Sequence, residues 1–208
     1  MSTETLYQAV LGYKKDDIGN LVKIELEEGI EPITILNEGL IAPMDEVGKR
    51  FGEGHIFIPE MLRAAQTMTA GLEILRPLLV ETGAKPRGVV VLGTVKGDLH
   101  DIGKNLVKIM LEGTGFQVID LGVDVATEKF VTAVSENQAG IVGLSALLTT
   151  TMPAMKETII KVKAESPEIL VMVGGAPVTR AYAESIGADA YAKDAAKATM
   201  LAKQLLSQ

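Results

Sequence analysis

A histidine and two aspartates lie close together in a loop that follows a short apolar segment. Residues 89–92 lead into the loop 93–103, which contains Asp98, His100 and Asp101. An imidazole that binds a metal usually donates its other N–H to a carboxylate, which fixes the ring and raises its basicity. Asp98 could supply that carboxylate. The alternative is a capping loop in which Asp101 caps the next helix and the other two side chains are solvated.

Two later loops carry small residues at comparable positions. Ser145 and Leu147 follow one apolar segment, and Gly174 and Gly175 follow another. Ser145 could hydrogen-bond Asp98, and a glycine pair lets a ligand approach the backbone closely. Taken singly, these are also a polar residue at a strand end and a flexible turn. If all three loops leave the same edge of one sheet, a shared binding site becomes the better interpretation.

The composition restricts the kind of metal site. There is no cysteine in the chain of 208 residues, and its histidines are His55 and His100. A disulfide scaffold, a thiolate zinc site, an iron–sulfur cluster and a cysteine nucleophile are therefore excluded. A single histidine can still be the axial ligand of a metal whose other positions are filled by a macrocycle.

The net charge and the hydrophobic content limit the classes of partner that we expect this chain to bind. The net charge of 20 − 27 = −7 disfavours nucleic acid and an anionic membrane surface. A hydrophobic content of 47% is enough for a sizeable core. Because neither a secretory signal nor an apolar stretch near the ~20 residues of a membrane span is visible, we expect a soluble cytoplasmic protein.

The first 85 residues are predicted to form a helical cap domain. Apolar residues at three- and four-residue steps indicate helices around 33–51 and 61–79, and shorter helical segments at 3–11 and 16–27 precede them. Pro59 suits the first turn of the fourth helix, whereas Pro43 should kink the third or mark its last turns. Such helices with short connections predict an antiparallel four-helix bundle.

The remaining residues predict a different architecture. Short apolar segments rich in β-branched residues alternate with helical stretches, which is typical of a parallel sheet covered on both faces. The strands are expected at 89–92, 116–121, 141–144, 169–173 and 188–192, and the helices at 102–112, 127–136, 153–165, 180–186 and 195–206. The fold class is therefore α/β and Rossmann- or flavodoxin-like. The segment TGAKPR at 82–87 is the best linker, which divides the chain into domains 1–85 and 86–208.

The spacing of the three loops resembles a known motif. Asp98-x-His100-x-x-Gly103, then Ser145-x-Leu147, then Gly174-Gly175 is similar to the cobalamin-binding motif of methionine synthase, cobalamin-dependent mutases and small corrinoid proteins of methyltransferase systems. The intervals, 41 residues (104–144) and 26 residues (148–173), are typical of that family.

The resemblance implies cobalamin bound with its benzimidazole tail away from cobalt and His100 as the metal ligand. The tail would pass Ser145, Leu147 and Thr149 on one side and the glycine pair on the other. The implied cofactor-binding residues of this half are Asp98, His100, Asp101, Ile102, Gly103, Ser145, Leu147, Thr149, Gly174 and Gly175. No catalytic residue is implied. Lys104 could reach a phosphate or a corrin amide, but a solvated lysine is the simpler expectation.

The helical half carries a second resemblance. Residues 51–61, FGEGHIFIPEM, resemble the segment with which the helical domain of methionine synthase covers the upper face of the corrin ring. By that match Phe51, Ile58 and Met61 would contact the cofactor. The alternative is that they belong to the bundle core. His55 is expected to be a surface histidine.

The function implied by the resemblance is that of a methyl carrier, a non-catalytic subunit rather than an enzyme on its own. It would take a methyl group from a donor-specific methyltransferase (O-demethylase, methylamine, methanol or betaine type). A second methyltransferase, acting on tetrahydrofolate or a thiol, would receive the group, and a reductive activase is a further expected partner. The alternatives are a subunit of an adenosylcobalamin mutase, a cobalamin-dependent sensor, and a flavodoxin-like domain with another ligand.

Overall fold

The computed structural model describes residues 3–81 and 85–206. The chain divides into two compact units: one precedes Arg87 and includes Gly113–Gly115, and the other contains the rest. Residues 82–84 of the predicted linker lie outside the described residues. In the described part of the chain, no helix has the length and apolar character that a membrane span requires.

The first unit is helical, as predicted. Its elements are α1 (Glu4–Leu11), α2 (Lys15–Glu27), α3 (Pro32–Thr34), a π-helical stretch (Ile35–Ile41), α4 (Ala42–Gly52) and α5 (Ile58–Glu81). The segment predicted as a third helix is therefore three consecutive helical elements from Pro32 to Gly52. Pro43 stands in the first turn of α4, directly after the π-helical stretch. Proline cannot donate to the carbonyl one turn earlier, and a local change of helical pitch accommodates that loss.

The second unit is a parallel sheet with helices on both faces, which confirms the predicted α/β class. The strands are β1 (Val89–Thr94), β2 (Gln117–Asp120), β3 (Ile141–Ser145), β4 (Leu170–Gly174) and β5 (Ala190–Ala192). The helices are α6 (Ile102–Gly113), α7 (Thr127–Asn137), α8 (Met152–Glu165), α9 (Arg180–Ser185) and α10 (Ala195–Leu205). All lie within a few residues of the predicted bounds.

The alternation of side chains along β1 explains why both faces of the sheet are covered. Val91 belongs to a buried cluster with Phe130 of α7 and Met155 of α8. Its neighbour Val90 belongs to a cluster on the other face, with Leu111 of α6. The central strands β1, β3 and β4 are mostly apolar because neither of their faces meets water.

The strand order positions the site. The strands pair in parallel in the order β2-β1-β3-β4-β5, so that the chain leaves β1 toward one side for β2 and returns to the other side for β3. Open α/β sheets bind ligands beyond the carboxyl ends of the strands at such a switch point. There Thr94, Ser145 and Gly174 are neighbours in register across β1, β3 and β4. The loops that follow these three residues are therefore adjacent.

Candidate functional site

The Asp98 carboxylate is the centre of the site. It is fully buried, with 0% of its surface exposed. Its Oδ2 accepts from the Leu147 N–H at 2.7 Å, the Leu148 N–H at 3.2 Å and the Thr151 hydroxyl at 2.7 Å, and its Oδ1 faces His100. Burial alone would raise the pKa of the Asp98 carboxyl, but the hydrogen bonds from Thr151, Leu147 and His100 outweigh it and hold that pKa well below its usual range. Asp98 is therefore an ionised acceptor.

His100 is oriented by that carboxylate. Its Nδ1 lies 2.7 Å from Asp98 Oδ1, and its backbone N–H donates to the same oxygen at 3.1 Å. The Thr94 hydroxyl donates to the His100 carbonyl at 2.9 Å. Because an ionised carboxylate only accepts, Nδ1 carries the proton in this contact, and in the neutral ring Nε2 then holds the lone pair. Half of the His100 side chain is exposed to solvent. The ring thus offers one free nitrogen at the carboxyl edge of the sheet.

The hydroxyl that supports Asp98 belongs to Thr151, and the expectation that Ser145 has this role was wrong. Thr151 is buried at the start of α8, whereas Ser145 ends β3 and makes no side-chain hydrogen bond to Asp98 among the described residues. The reason is geometric. The chain turns after β3 so that the N–H groups of Leu147 and Leu148 reach the carboxylate first, and the hydroxyl arrives from the helix that follows.

The sequence signal for Thr151 was the threonine run 149–151. The family resemblance implies that Thr149 of this run contacts the cofactor, and Thr149 is exposed. Thr151 is buried whereas Thr149 is exposed, and the orientation of α8 determines which of the two is buried.

Apolar side chains surround His100 and are exposed. Leu99 and Ile102 are 71% and 77% exposed, and Leu147 and Leu148 are also open to solvent. Gly103, in the first turn of α6, has open space where a Cβ would stand. The chain itself therefore does not require glycine at this position. A bulky ligand that contacts α6 there would require it, because a side chain would occupy the same space. Asp101 is exposed, and its Oδ2 accepts from the Asn105 side chain at 3.0 Å. A free imidazole nitrogen beside apolar surface fits a large apolar macrocycle with one open metal position.

The glycine pair has a reason inside the chain. A Cβ on Gly175 would clash with the carbonyl oxygen of Ala146, and Gly175 has a φ of +133°. A Cβ on Gly174 would lie 2.9 Å from the Ala192 oxygen. Backbone atoms thus exclude a side chain at both positions. The loop after β4 lies directly against Ala146, whose peptide with Leu147 carries the N–H that donates to Asp98. Contact of these glycines with the cofactor tail stays a prediction.

Lys104 is neither solvated nor free to reach a ligand, contrary to both expectations. Only 2% of its side chain is exposed. Its Nζ donates to Asp120 Oδ1 and to Asn105 Oδ1, each at 2.7 Å. Burial raises the pKa of the Asp120 carboxyl, but the hydrogen bond from Lys104 and others outweigh it, so that the pKa is lowered. Lys104 therefore joins α6 to the end of β2. Its partner was invisible in the sequence because 16 residues separate the two.

The segment 51–61 of the helical unit divides into exposed and buried side chains. Ile58 is exposed, Phe51 is partly buried, and Met61 is fully buried. For Met61 the bundle-core alternative is therefore the better one, and contact with a cofactor is not supported. Phe57, which sequence reasoning passed over, is 69% exposed. His55 is exposed, as expected, and its Nδ1 lies 3.3 Å from Glu53 Oε2.

A metal site made of protein ligands alone is not present in the part of the chain that the structure describes. No group of three or more His, Cys, Asp or Glu residues is arranged to hold a metal ion in residues 3–81 and 85–206.

Comparison with known proteins agrees with this geometry. Family models of a B12 binding domain match residues 88–200 and residues 3–76. The dimethylamine corrinoid protein 1 of Methanosarcina acetivorans is 45% identical over the full length of both chains.

Solved structures agree as well. A cobalamin-binding protein of Desulfitobacterium hafniense has a TM-score of 0.80 at 32% identity, covering 98% of each chain. A chain of the methanol:cobalamin methyltransferase complex of Methanosarcina barkeri has a TM-score of 0.87 at 31% identity, covering 97% of this chain and 78% of that one. The chain therefore belongs to the corrinoid proteins of methyltransferase systems, the family that carries the B12 binding domain, and its cofactor is cobalamin.

Proposed function

We propose that this protein is a methyl carrier that holds cobalamin through His100 and receives its methyl group from a methylamine, with dimethylamine as the first candidate. The observation that carries the proposal is the half-exposed His100 ring, whose Nδ1 is held by buried Asp98 while Nε2 is free. The choice of donor is supported by the name of a relative that matches the whole chain. The same full-length match favours a carrier over a mutase subunit or a sensor.

The Asp98–His100–Thr151 group performs the protein's part. Bound cobalamin supplies the chemistry, since its cobalt can accept a methyl group and give it up. Asp98 fixes the imidazole so that Nε2 points away from the carboxylate and can ligate. Thr151 and the Leu147 N–H keep Asp98 ionised and in place, so that the carboxylate can hold the His100 ring.

Apolar surface is the second part of cofactor binding. Leu99, Ile102 and Leu147 are exposed beside His100, and burial of such side chains under a ligand contributes roughly 25 cal/mol per Å². Gly103 leaves space for a close approach to α6. In the segment 51–61 of the helical unit, Phe57 and Ile58 are exposed apolar residues and are candidates for shielding the cofactor.

The carrier needs partners. We propose a methyltransferase specific for the amine as donor partner, a second methyltransferase as acceptor partner, and a reductive activase that restores the cofactor after oxidation. Tetrahydrofolate and a thiol are the two candidate acceptors. Membership of the corrinoid proteins of methyltransferase systems, one of which occurs in a solved methyltransferase complex, supports the first two partners.

The binding mode is tested with His100→Ala and with His55→Ala as a matched control. The apoprotein is loaded with hydroxocobalamin, desalted and reduced to cobalt(II), and the EPR spectrum is recorded. Wild type and His55→Ala are expected to show nitrogen superhyperfine splitting from an axial imidazole, and His100→Ala is expected to lose it. With ¹⁵N-histidine in the protein, splitting by an imidazole becomes a doublet, whereas the cofactor's own benzimidazole still gives a triplet. A doublet that persists in His100→Ala would contradict ligation by this residue. Failure of wild type to retain any corrinoid would contradict the proposed binding.

The donor is tested by methyl transfer to the loaded, reduced protein. Monomethylamine, dimethylamine, trimethylamine and methanol are each supplied with their own methyltransferase, and methylation is followed by the visible absorption of the corrinoid. We expect the fastest transfer with the dimethylamine enzyme. Transfer from methanol alone would overturn the proposed donor class while leaving the carrier role intact.

A further inference from the structure

The loop between β2 and α7 contacts the His100 loop although it belongs to none of the three motif segments. Leu121 N–H donates to the Leu92 carbonyl at 2.8 Å, and Thr94 N–H donates to the Gly122 carbonyl at 2.9 Å. Val125 N–H then donates to the Thr94 carbonyl at 3.0 Å. These bonds extend the pairing of β1 and β2 beyond the strands. The loop after β2 is therefore held beside the loop that carries Asp98 and His100.

Asp124 makes the outermost contacts. Its backbone N–H donates to the Asp98 carbonyl at 2.9 Å, and its Oδ1 accepts from the Gly97 N–H at 2.7 Å. The first contact holds the Asp98–Leu99 peptide and the second holds the Lys96–Gly97 peptide, so that Asp124 fixes the backbone on either side of the Gly97–Asp98 bond. The position of this backbone determines where the Asp98 side chain enters the site.

The backbone of Asp124 is unusual and explains the residue type. Its φ is +50°, in the left-handed region, and that of Gly97 is +83°. Aspartate and asparagine tolerate this region better than most side chains, and glycine tolerates it best. The side-chain acceptor is what distinguishes aspartate and asparagine from glycine here. Conformation and hydrogen bond can therefore be separated by substitution.

We infer that Asp124 is a positioning residue for cobalt ligation: it holds the Gly97 N–H and the Asp98 carbonyl, on either side of the Gly97–Asp98 bond, so that Asp98 can orient the His100 ring. This inference rests on the proposed ligation by His100. The His100 side chain is half exposed and Leu99 is more exposed still, so that side-chain packing restrains this part of the loop little. Hydrogen bonds therefore provide most of the restraint on this part of the loop. Loss of a single one of them loosens the ring without unfolding the sheet.

Two substitutions at Asp124 and one control test this. Asp124→Asn keeps an acceptor and tolerates the backbone conformation, whereas Asp124→Gly tolerates the conformation and removes the acceptor. Gln138, at the end of α7, has a φ of +49°, and Gln138→Gly makes the same kind of change at another left-handed position. Each variant is loaded with hydroxocobalamin. The readouts are nitrogen superhyperfine splitting of the cobalt(II) form and the rate of cobalamin release after dilution.

For Asp124→Gly we expect a smaller fraction of molecules with nitrogen splitting and release about fivefold faster, which is the loss of one hydrogen bond expressed as a rate ratio. Asp124→Asn and Gln138→Gly are expected to behave like wild type. Hydrogen exchange of the Gly97 amide in the apoprotein provides a readout without cofactor, and it should accelerate in Asp124→Gly only.

The outcomes are distinguishable. Wild-type splitting and release in Asp124→Gly, or equal losses in Asp124→Gly and Gln138→Gly, would overturn the inference. A thermal unfolding temperature of apo Asp124→Gly well below that of apo Gln138→Gly would also overturn it, because Asp124 would then support the fold as a whole. Absence of nitrogen splitting in the wild type would instead overturn the proposed ligation by His100.

Discussion

Two buried charged groups near the start of α6 are compensated in different ways. Lys104 is paired with Asp120 and bonded to Asn105, so that its charge is matched inside the chain. Asp98 is buried without a fixed cation, and it is stabilised by N–H and O–H donors and by the ring of His100. The Lys104 pair is complete in itself, whereas the Asp98 group leaves an imidazole nitrogen directed toward solvent. The difference separates a charge that is neutralised inside the chain from one that, in the proposed function, orients the cofactor ligand.

The largest expected effect on folding belongs to Lys104. Lys104→Met leaves Asp120 without its nearest cation, and removing one partner of a buried pair costs roughly 3 kcal/mol of unfolding free energy. The expected spectrum of the loaded protein is unchanged, because Lys104 does not contact His100. Chemical denaturation of the apoprotein measures the cost.

Lys108 is the matched control for Lys104. It lies 3.5 Å from the other Asp120 oxygen, and its side chain is more exposed. Lys108→Met should cost less than about 1 kcal/mol. Loss of nitrogen splitting in folded Lys104→Met would contradict the distinction between Lys104, which is expected to support only the fold, and Asp98, which is expected to orient His100.

A smaller effect is expected from Thr151. Thr151→Val removes the hydroxyl that donates to Asp98 and keeps the shape of the side chain, which costs about 1–2 kcal/mol. Cobalamin release should also accelerate, because the carboxylate that orients His100 is less restrained. Thr151→Ser should restore both properties. Unfolding and release are measured on the same preparations.

Ser145→Ala is the control that sharpens this comparison. Since the Ser145 hydroxyl does not bond Asp98 among the described residues, its removal should change the unfolding free energy of the apoprotein by less than about 0.5 kcal/mol. A larger cost for Ser145→Ala than for Thr151→Val would contradict the assignment of Thr151.

The effect on stability expected at Gly103 is smaller than those of Lys104→Met and Thr151→Val, and its sign is opposite. A Cβ there meets no atom within 4 Å, so Gly103→Ala should raise the unfolding free energy by about 0.5–1 kcal/mol through helix propensity. Cobalamin affinity should fall, because the added methyl group occupies space beside the ligand. Gly19→Ala in α2, where an added Cβ makes only ordinary contact, should stabilise without weakening binding. Equal affinity of Gly103→Ala and wild type would remove Gly103 from the binding site.

Most of the secondary structure was predictable because its causes are local. Runs of β-branched residues such as 89–92 form strands wherever both faces are covered, and the periodic stripe at 61–79 forms a helix. The third predicted helix was less accurate, because the adjustment before Pro43 depends on how the surrounding helices pack. The loop after β2 was overlooked since it carries no motif, although its place beside β1 follows from the strand order.

The sequence by itself determined the α/β sheet and the loops at its carboxyl edge, because strand patterning is a local property of the chain. The cofactor followed from the resemblance of the spaced motif residues to a known family. Only the tertiary structure decided which hydroxyl meets Asp98, where the Lys104 charge is compensated, that Met61 is buried, and why Gly175 can carry no side chain. Those outcomes depend on atoms that are distant in sequence and meet within hydrogen-bond or van der Waals range. Such distances depend on how the strands and helices pack.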